Sequence, residues 1–138
     1  MINGYSQILV IGHRNIGDVL HDMALLKPLR KSFPQAQVTV LTSSAGQTLL
    51  AHNPYISESV AAERSKGFNQ KLKRFSLIRR LRKRKFDLVI NLKSGSYLPY
   101  FVGAKTIWDI RPEDKTLHHK RTKHAIDIYL DTIRHHGV

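Results

Sequence analysis

The sequence predicts a parallel, doubly wound α/β sheet with helices on both faces. Three features lead there. Short apolar runs rich in β-branched residues recur along the chain, as strands covered on both faces require. Segments with apolar residues at helical spacing lie between them, so strand and helix alternate. The first strand also feeds a helix through a glycine-containing loop, the opening unit of an open α/β sheet. In such sheets ligands bind at the carboxyl ends of the strands.

Taken in order, Ile8 to Ile11 is the first strand, and Gly12 and Gly17 mark the loop after it. A helix is expected from Asp18 to about Ser32, with Val19, Leu20, Met23, Leu26 and Leu29 at helical spacing. Lys27, Arg30 and Lys31 load its C-terminal end, where the dipole favours cations. Pro28 lies inside the pattern and is expected to kink the helix or shift its last turn. Gln37 to Thr42 alternates and is β-branched, so it reads as the second strand. A short helix from Gln47 to His52 is stopped by Asn53-Pro54, and Tyr55 to Val60 suggests a third strand.

Ala61 to Gln70 is mostly polar and reads as an exposed loop. Leu72 to Lys85 is a basic amphipathic helix with one apolar stripe, Phe75, Leu77, Ile78 and Leu81. Phe86 to Leu92 is an almost continuous apolar strand, and the loop at Lys93 to Ser96 mirrors the first loop. A short helix from Tyr97 to Val102, a fifth strand from Lys105 to Ile110 and a last helix from about His124 to His136 complete the order.

Composition narrows the function. At 138 residues, 41% hydrophobic and 24% charged, the chain is expected to form one globular domain. It has no cysteine, which excludes disulfides and thiolate chemistry. No apolar run approaches the roughly 20 residues of a membrane-spanning helix. Met1 to Tyr5 lacks the basic and apolar regions of a signal peptide, so a cytoplasmic protein is expected. The net charge of +13 implies an anionic partner: nucleic acid, a lipid surface or a phosphorylated molecule. The charge is also uneven, because eleven of the 23 Lys and Arg residues fall between Arg64 and Lys85, with no acid among them.

The first loop is neither a dinucleotide fingerprint nor a P-loop, since it lacks G-x-G-x-x-G and Gly-Lys-Ser/Thr. No metal-ligand spacing is present, and His118-His119 and His135-His136 are adjacent pairs that point apart. Asp18 has two readings. It is a first-turn acid that opposes the helix dipole, or a general base that deprotonates a hydroxyl in the cleft. The basic helix is likewise either a solvated face or an anion-binding surface continued by Arg64, Lys66, Lys71 and Lys73. Phe68 and Phe75 are too few aromatics for a single-strand stacking platform, and no nucleic-acid-binding motif appears.

Several stretches together resemble glycosyltransferase family 9, the ADP-heptose:lipopolysaccharide heptosyltransferases and their relatives. They are Ile16-Gly17-Asp18-Val19-Leu20, Leu25 to Arg30, Phe33 to Leu41, Asn53-Pro54, Phe86 to Leu92, Gly103-Ala104-Lys105 and Lys123 to Leu130, in the family's order. The resemblance implies a GT-B architecture, in which two Rossmann-like domains face a cleft and sugar transfer is inverting and metal-independent. Residues 1–138 would be the Rossmann-like acceptor-side domain, with the C-terminal nucleotide-sugar domain absent and the chain alone inactive. Carried over, Asp18 matches the position proposed as general base. Arg14, Asn15 and Gly17 match the loop lining the cleft. Arg64, Lys66, Lys71 and Lys73 lie where relatives hold the anionic groups of the acceptor, and Ser94 and Gly95 of the mirrored loop join that set. No cofactor is implied, and a nucleotide-sugar such as ADP-heptose would be the co-substrate. The implied partners are a lipopolysaccharide-core or related glycan and, peripherally, the inner face of a bacterial inner membrane. Self-association is expected if the face left by a missing domain is apolar. The alternative is a non-enzymatic module that docks on nucleic acid or anionic lipid through the Leu72–Lys85 helix.

Overall fold

The computed structural model describes residues 4–62, 66–93 and 96–109, together with Arg134. Five strands form one sheet: β1 (Gln7–Ile11), β2 (Gln37–Thr42), β3 (Glu58–Ala61), β4 (Leu88–Asn91) and β5 (Thr106–Asp109). All pairings are parallel, and the spatial order is β3-β2-β1-β4-β5. The chain therefore builds outward from β1 to β3, then crosses back to lay β4 on the other edge of β1. That reversal between β1 and β4 is a topological switch point, where the loops leaving two neighbouring strands diverge and open a crevice. The register sets Ile11 opposite both Leu41 and Asn91, so the carboxyl ends of the three central strands are nearly level.

Side-chain alternation gives each face its own core. Ile8, Val10, Val38, Val40, Leu88 and Ile90 pack with α1 (Ile16–Ser32) and α2 (Ser44–Leu50). Leu9, Ile11, Leu41, Val60 and Val89 pack with α3 (Phe68–Arg82) and α4 (Leu98–Phe101). Covering both faces is why the strands read as unbroken apolar runs. On the first face Tyr5 meets Phe33 and Trp108 edge-on, with ring centroids 5.4 and 6.0 Å apart, and ties the lead-in to β5. Just before β4, Asp87 accepts hydrogen bonds from the Ser6 hydroxyl at 2.7 Å and from the Ser6 and Gln7 backbone N–H groups at 3.0 Å. Lys105 Nζ approaches the same carboxylate at 3.1 Å. These donors, the Ser6 hydroxyl first, hold the Asp87 carboxyl well below the usual carboxylate range.

The element order matches the expectation over the described residues, and the departures have local causes. Helix α1 begins at Ile16, two residues early, because Asn15 already holds the extended backbone of an N-cap. It includes Pro28 and ends at Ser32, and Leu25, Leu26 and Leu29 on either side of the proline are buried, so packing offsets the one missing backbone bond. Helix α2 begins at Ser44 rather than Gln47, because the Ser43 hydroxyl caps it by accepting from the Gly46 N–H at 3.1 Å. Helix α3 begins at Phe68, straight after Gly67 at φ 75°, a conformation that suits glycine. Its stripe splits: Leu81 is buried and Leu77 and Ile78 half-buried, but Phe75 is exposed. Strand β3 starts at Glu58, later than expected. The two His pairs and the last helix, apart from helical Arg134, lie outside the described residues.

Candidate functional site

A cavity of about 450 Å³ opens at the carboxyl edge of the sheet. Ile11, Gly12, Leu41 and Thr42 form its floor, and α3 forms one wall through Gln70, Lys73, Arg74, Leu77 and Arg80. Lys93, Ser96 and Leu98, from the segment after β4, close the other side. Arg14, Lys73, Arg74, Arg80 and Lys93 all line it, and among the described residues no carboxylate does. Low-dielectric walls that carry one sign of charge concentrate the field, so the cavity is suited to an anionic ligand.

The loop that carries Arg14 is held from three sides. The Gly12 N–H donates to the Leu41 carbonyl at 2.9 Å. The Thr42 hydroxyl donates to the His13 carbonyl at 2.9 Å, and the Ser43 hydroxyl to the Arg14 carbonyl at 2.7 Å. The third tether is Asp22, a carboxylate only 4% exposed, which accepts from the His13 backbone N–H at 2.7 Å. Its other oxygen lies 2.8 Å from His13 Nδ1. A side chain at Gly12 would put Cβ 2.9 Å from the Asp22 carboxylate and 3.3 Å from the Leu41 carbonyl, so glycine is needed for that approach. The Asp22 hydrogen bond is the main cause that raises the His13 pKa; burial opposes it, and the charges of Asp22 and Asp18 reinforce it. A half-exposed imidazole oriented by a buried carboxylate can hold or pass a proton at the strand ends.

Asp18 occupies the first turn of α1, three residues after the N-cap, and is half-buried. Among the described residues its carboxylate has one hydrogen bond, a long one of 3.5 Å from the Asn15 side-chain amide. The Asn15 side chain makes no capping bond.

The expected site residues thus separate into groups. Arg14 and Lys73 share the cavity. Asn15, Gly17 and Asp18 sit beside it at the N-terminus of α1 and are not in its lining. Lys66 and Lys71 are exposed and also outside the lining. Arg64, Ser94 and Gly95 lie outside the described residues. Arg74, Arg80 and Lys93, not singled out as site residues from the sequence, complete the cationic lining. The His13–Asp22 pair was also not singled out. Its signal was present, because Asp22 interrupts the buried row Val19, Leu26 and Leu29 with a charge. Among the described residues no cluster of three or more His, Asp or Glu is arranged to hold a metal ion.

No protein-family model matches the chain. Among curated proteins it is similar to lipopolysaccharide heptosyltransferase 2 of Escherichia coli strain K12, 27% identical over 107 residues, 74% of this chain and 31% of that protein. Among solved structures it is similar to the glycosyl transferase family 9 protein of Veillonella parvula. That likeness has a TM-score of 0.81 at 28% identity, over 100% of this chain and 43% of that one. E. coli ADP-heptose LPS heptosyltransferase II gives 0.60 at 26% identity, over 73% of this chain and 29% of that one. E. coli heptosyltransferase WaaC with ADP-2-deoxy-2-fluoro heptose gives 0.70 over 94% of this chain and 47% of that one; at 13% identity it speaks for the fold alone. The chain spans less than half the length of each of these relatives.

The parallel sheet is thus of the Rossmann-like kind found in GT-B glycosyltransferases. Within that class, sequence and fold resemble glycosyltransferase family 9, and the relatives from E. coli are heptosyltransferases.

Proposed function

We propose that the chain is the acceptor-binding half of a heptosyltransferase-like glycosyltransferase acting in lipopolysaccharide core synthesis. The observation that carries this reading is the cavity whose charged lining, among the described residues, is entirely cationic, set at the strand ends of a chain similar along its whole length to a family 9 glycosyltransferase. Arg14, Lys73, Arg74, Arg80 and Lys93 suit the phosphates and sugar acids of a core glycan. Asn15 and Gly17 follow Arg14 at the N-terminus of α1, and Arg64, Lys66, Lys71, Ser94 and Gly95 lie close to lining residues in the sequence and would extend the site. The donor, a nucleotide-sugar such as ADP-heptose, would be held by a second domain.

In the reaction an acceptor hydroxyl attacks the anomeric carbon of the donor. A new carbon–oxygen bond forms with inversion, the bond to the diphosphate breaks, and its electron pair leaves with ADP. Asp18 takes the hydroxyl proton. Its half-buried position beside the cavity, with one long hydrogen bond, leaves the carboxylate available for that transfer. His13, held by Asp22, keeps the Arg14 loop in register with the acceptor.

Two measurements test this. By calorimetry the chain should bind a phosphorylated core oligosaccharide but not ADP-heptose, and Arg14→Ala or Lys73→Ala should weaken binding about tenfold. Equal affinity for the dephosphorylated oligosaccharide would overturn the acceptor reading. Reconstituted with the donor-binding half of a family 9 relative, Asp18→Asn should reduce turnover about 100-fold or more. Turnover within about threefold of the unaltered protein would rule Asp18 out as the base.

A further inference from the structure

Helix α3 carries two apolar rows, and among the described residues only one of them packs into a core. Leu77, Ile78 and Leu81 turn toward the sheet and join the second core. Phe68, Leu72 and Phe75 are 75%, 53% and 66% exposed. Their spacing of four and then three residues aligns them along one side of the helix. The cations divide in the same way. Lys73, Arg74 and Arg80 line the cavity, whereas Lys71, Arg79, Arg82 and Lys83 are exposed outside its lining. No acid occurs between positions 65 and 85 to offset either set.

We infer that this outer face of α3 attaches the protein to an anionic lipid bilayer, with Phe68, Leu72 and Phe75 seated among the headgroups and the flanking Lys and Arg on lipid phosphates. Such a row is costly to leave in water unless something covers it, and the charge pattern selects the cover. Every charge on this face is a cation, with no acid between positions 65 and 85, so the face is complementary to a continuous negative surface. A short row of Phe and Leu bordered only by Lys and Arg is the pattern of a helix lying in the plane of a membrane surface. The negative potential of anionic lipid attracts such a border. Helix α4 packs beside α3 and adds exposed Phe101 together with exposed Tyr97 and Tyr100, whose amphipathic rings favour the headgroup layer. Among the described residues no helix is long and apolar enough to cross a membrane, so the contact proposed is superficial. It does not depend on sugar transfer and would stand if the glycosyltransferase reading fell.

The test is co-sedimentation of the chain with vesicles of phosphatidylcholine alone and with added phosphatidylglycerol. Binding should be at least about tenfold tighter to the anionic vesicles. Combining Phe68→Ser, Leu72→Ser and Phe75→Ser should lower that binding about tenfold or more, with circular dichroism unchanged. As a probe that keeps an aromatic ring in the row, the Phe68→Trp variant should shift its emission to the blue on anionic vesicles and be quenched by brominated lipid. Three results would overturn the inference. They are undiminished binding by the triple variant, an unshifted emission from the Phe68→Trp variant in the presence of bound vesicles, and a lipid-free dimer that the triple variant converts to monomer.

Discussion

His13 and Asp22 show how one buried carboxylate organises the loop after β1. Asp22 accepts from both the backbone and the ring of His13, so the fold favours the charged imidazolium. A pKa raised above the ordinary imidazole value near 6.5 means that the pair contributes its full stability below that pH. The contribution is lost as pH rises through the higher folded value. His13→Gln should therefore lower the melting temperature more at pH 6 than at pH 9, and an equal loss at both would count against the ion pair. Asp22→Asn should bring the His13 titration, followed by NMR, back toward its ordinary value. Asp22 could be found in the sequence only as a charge out of place in a buried row. Its partner could not, because nothing local indicates that the ring nine residues earlier turns back onto α1.

Elements were legible wherever their own residues decide them. Strand β2 falls at Gln37–Thr42 as its alternation predicts, and β1 and β4 follow from unbroken apolar runs. Boundaries set by a neighbour's hydrogen bond were not legible, as with the Ser43 cap that moves α2 back toward β2. The stripe of α3 was misassigned at Phe75 because periodicity identifies an apolar side without saying what faces it. Asp87 belongs to this scale, since it joins the lead-in, β4 and the start of β5 through Ser6, Gln7 and Lys105. Asp87→Asn should cost about 1–2 kcal/mol in denaturant unfolding at neutral pH, allowing for the partial exposure of the site. A depressed carboxylate pKa gives stability that is present above the ordinary value near 3.9 and fades as pH falls through the folded one. The difference between variant and parent should accordingly narrow in acid. A gap unchanged down to strongly acidic pH would show that the carboxylate's charge plays no part.

For the whole molecule, the class of fold was legible because a sheet covered on both faces imposes apolar runs alternating with helices. The site was legible only in part. Arg14, taken with the loop after β1, and Lys73, chosen for its charge, line one cavity, whereas Lys66 and Lys71, chosen on the same ground as Lys73, are not in its lining. Which side of α3 turns inward is fixed by packing against α4 and the sheet, not by its own sequence. The two cores share one sheet, so the domain should unfold as one unit. Trp108, the single tryptophan, is buried at the β5 edge and reports on the first core. Its fluorescence transition should coincide with that of far-ultraviolet circular dichroism, and separated midpoints would show that the β5 edge opens first.

The place of β1 has a consequence for how the chain is made. Ile8 pairs with Val38 on one side but with Leu88 on the other, eighty positions further along. On the ribosome, at about 5–20 residues per second, the first strand waits roughly 4–16 s for its second neighbour. Throughout that interval its free edge is a template for pairing with another nascent chain. Such distant pairing slows folding, so yield in the cell should depend on chaperone capacity more than the stability of the finished sheet would suggest.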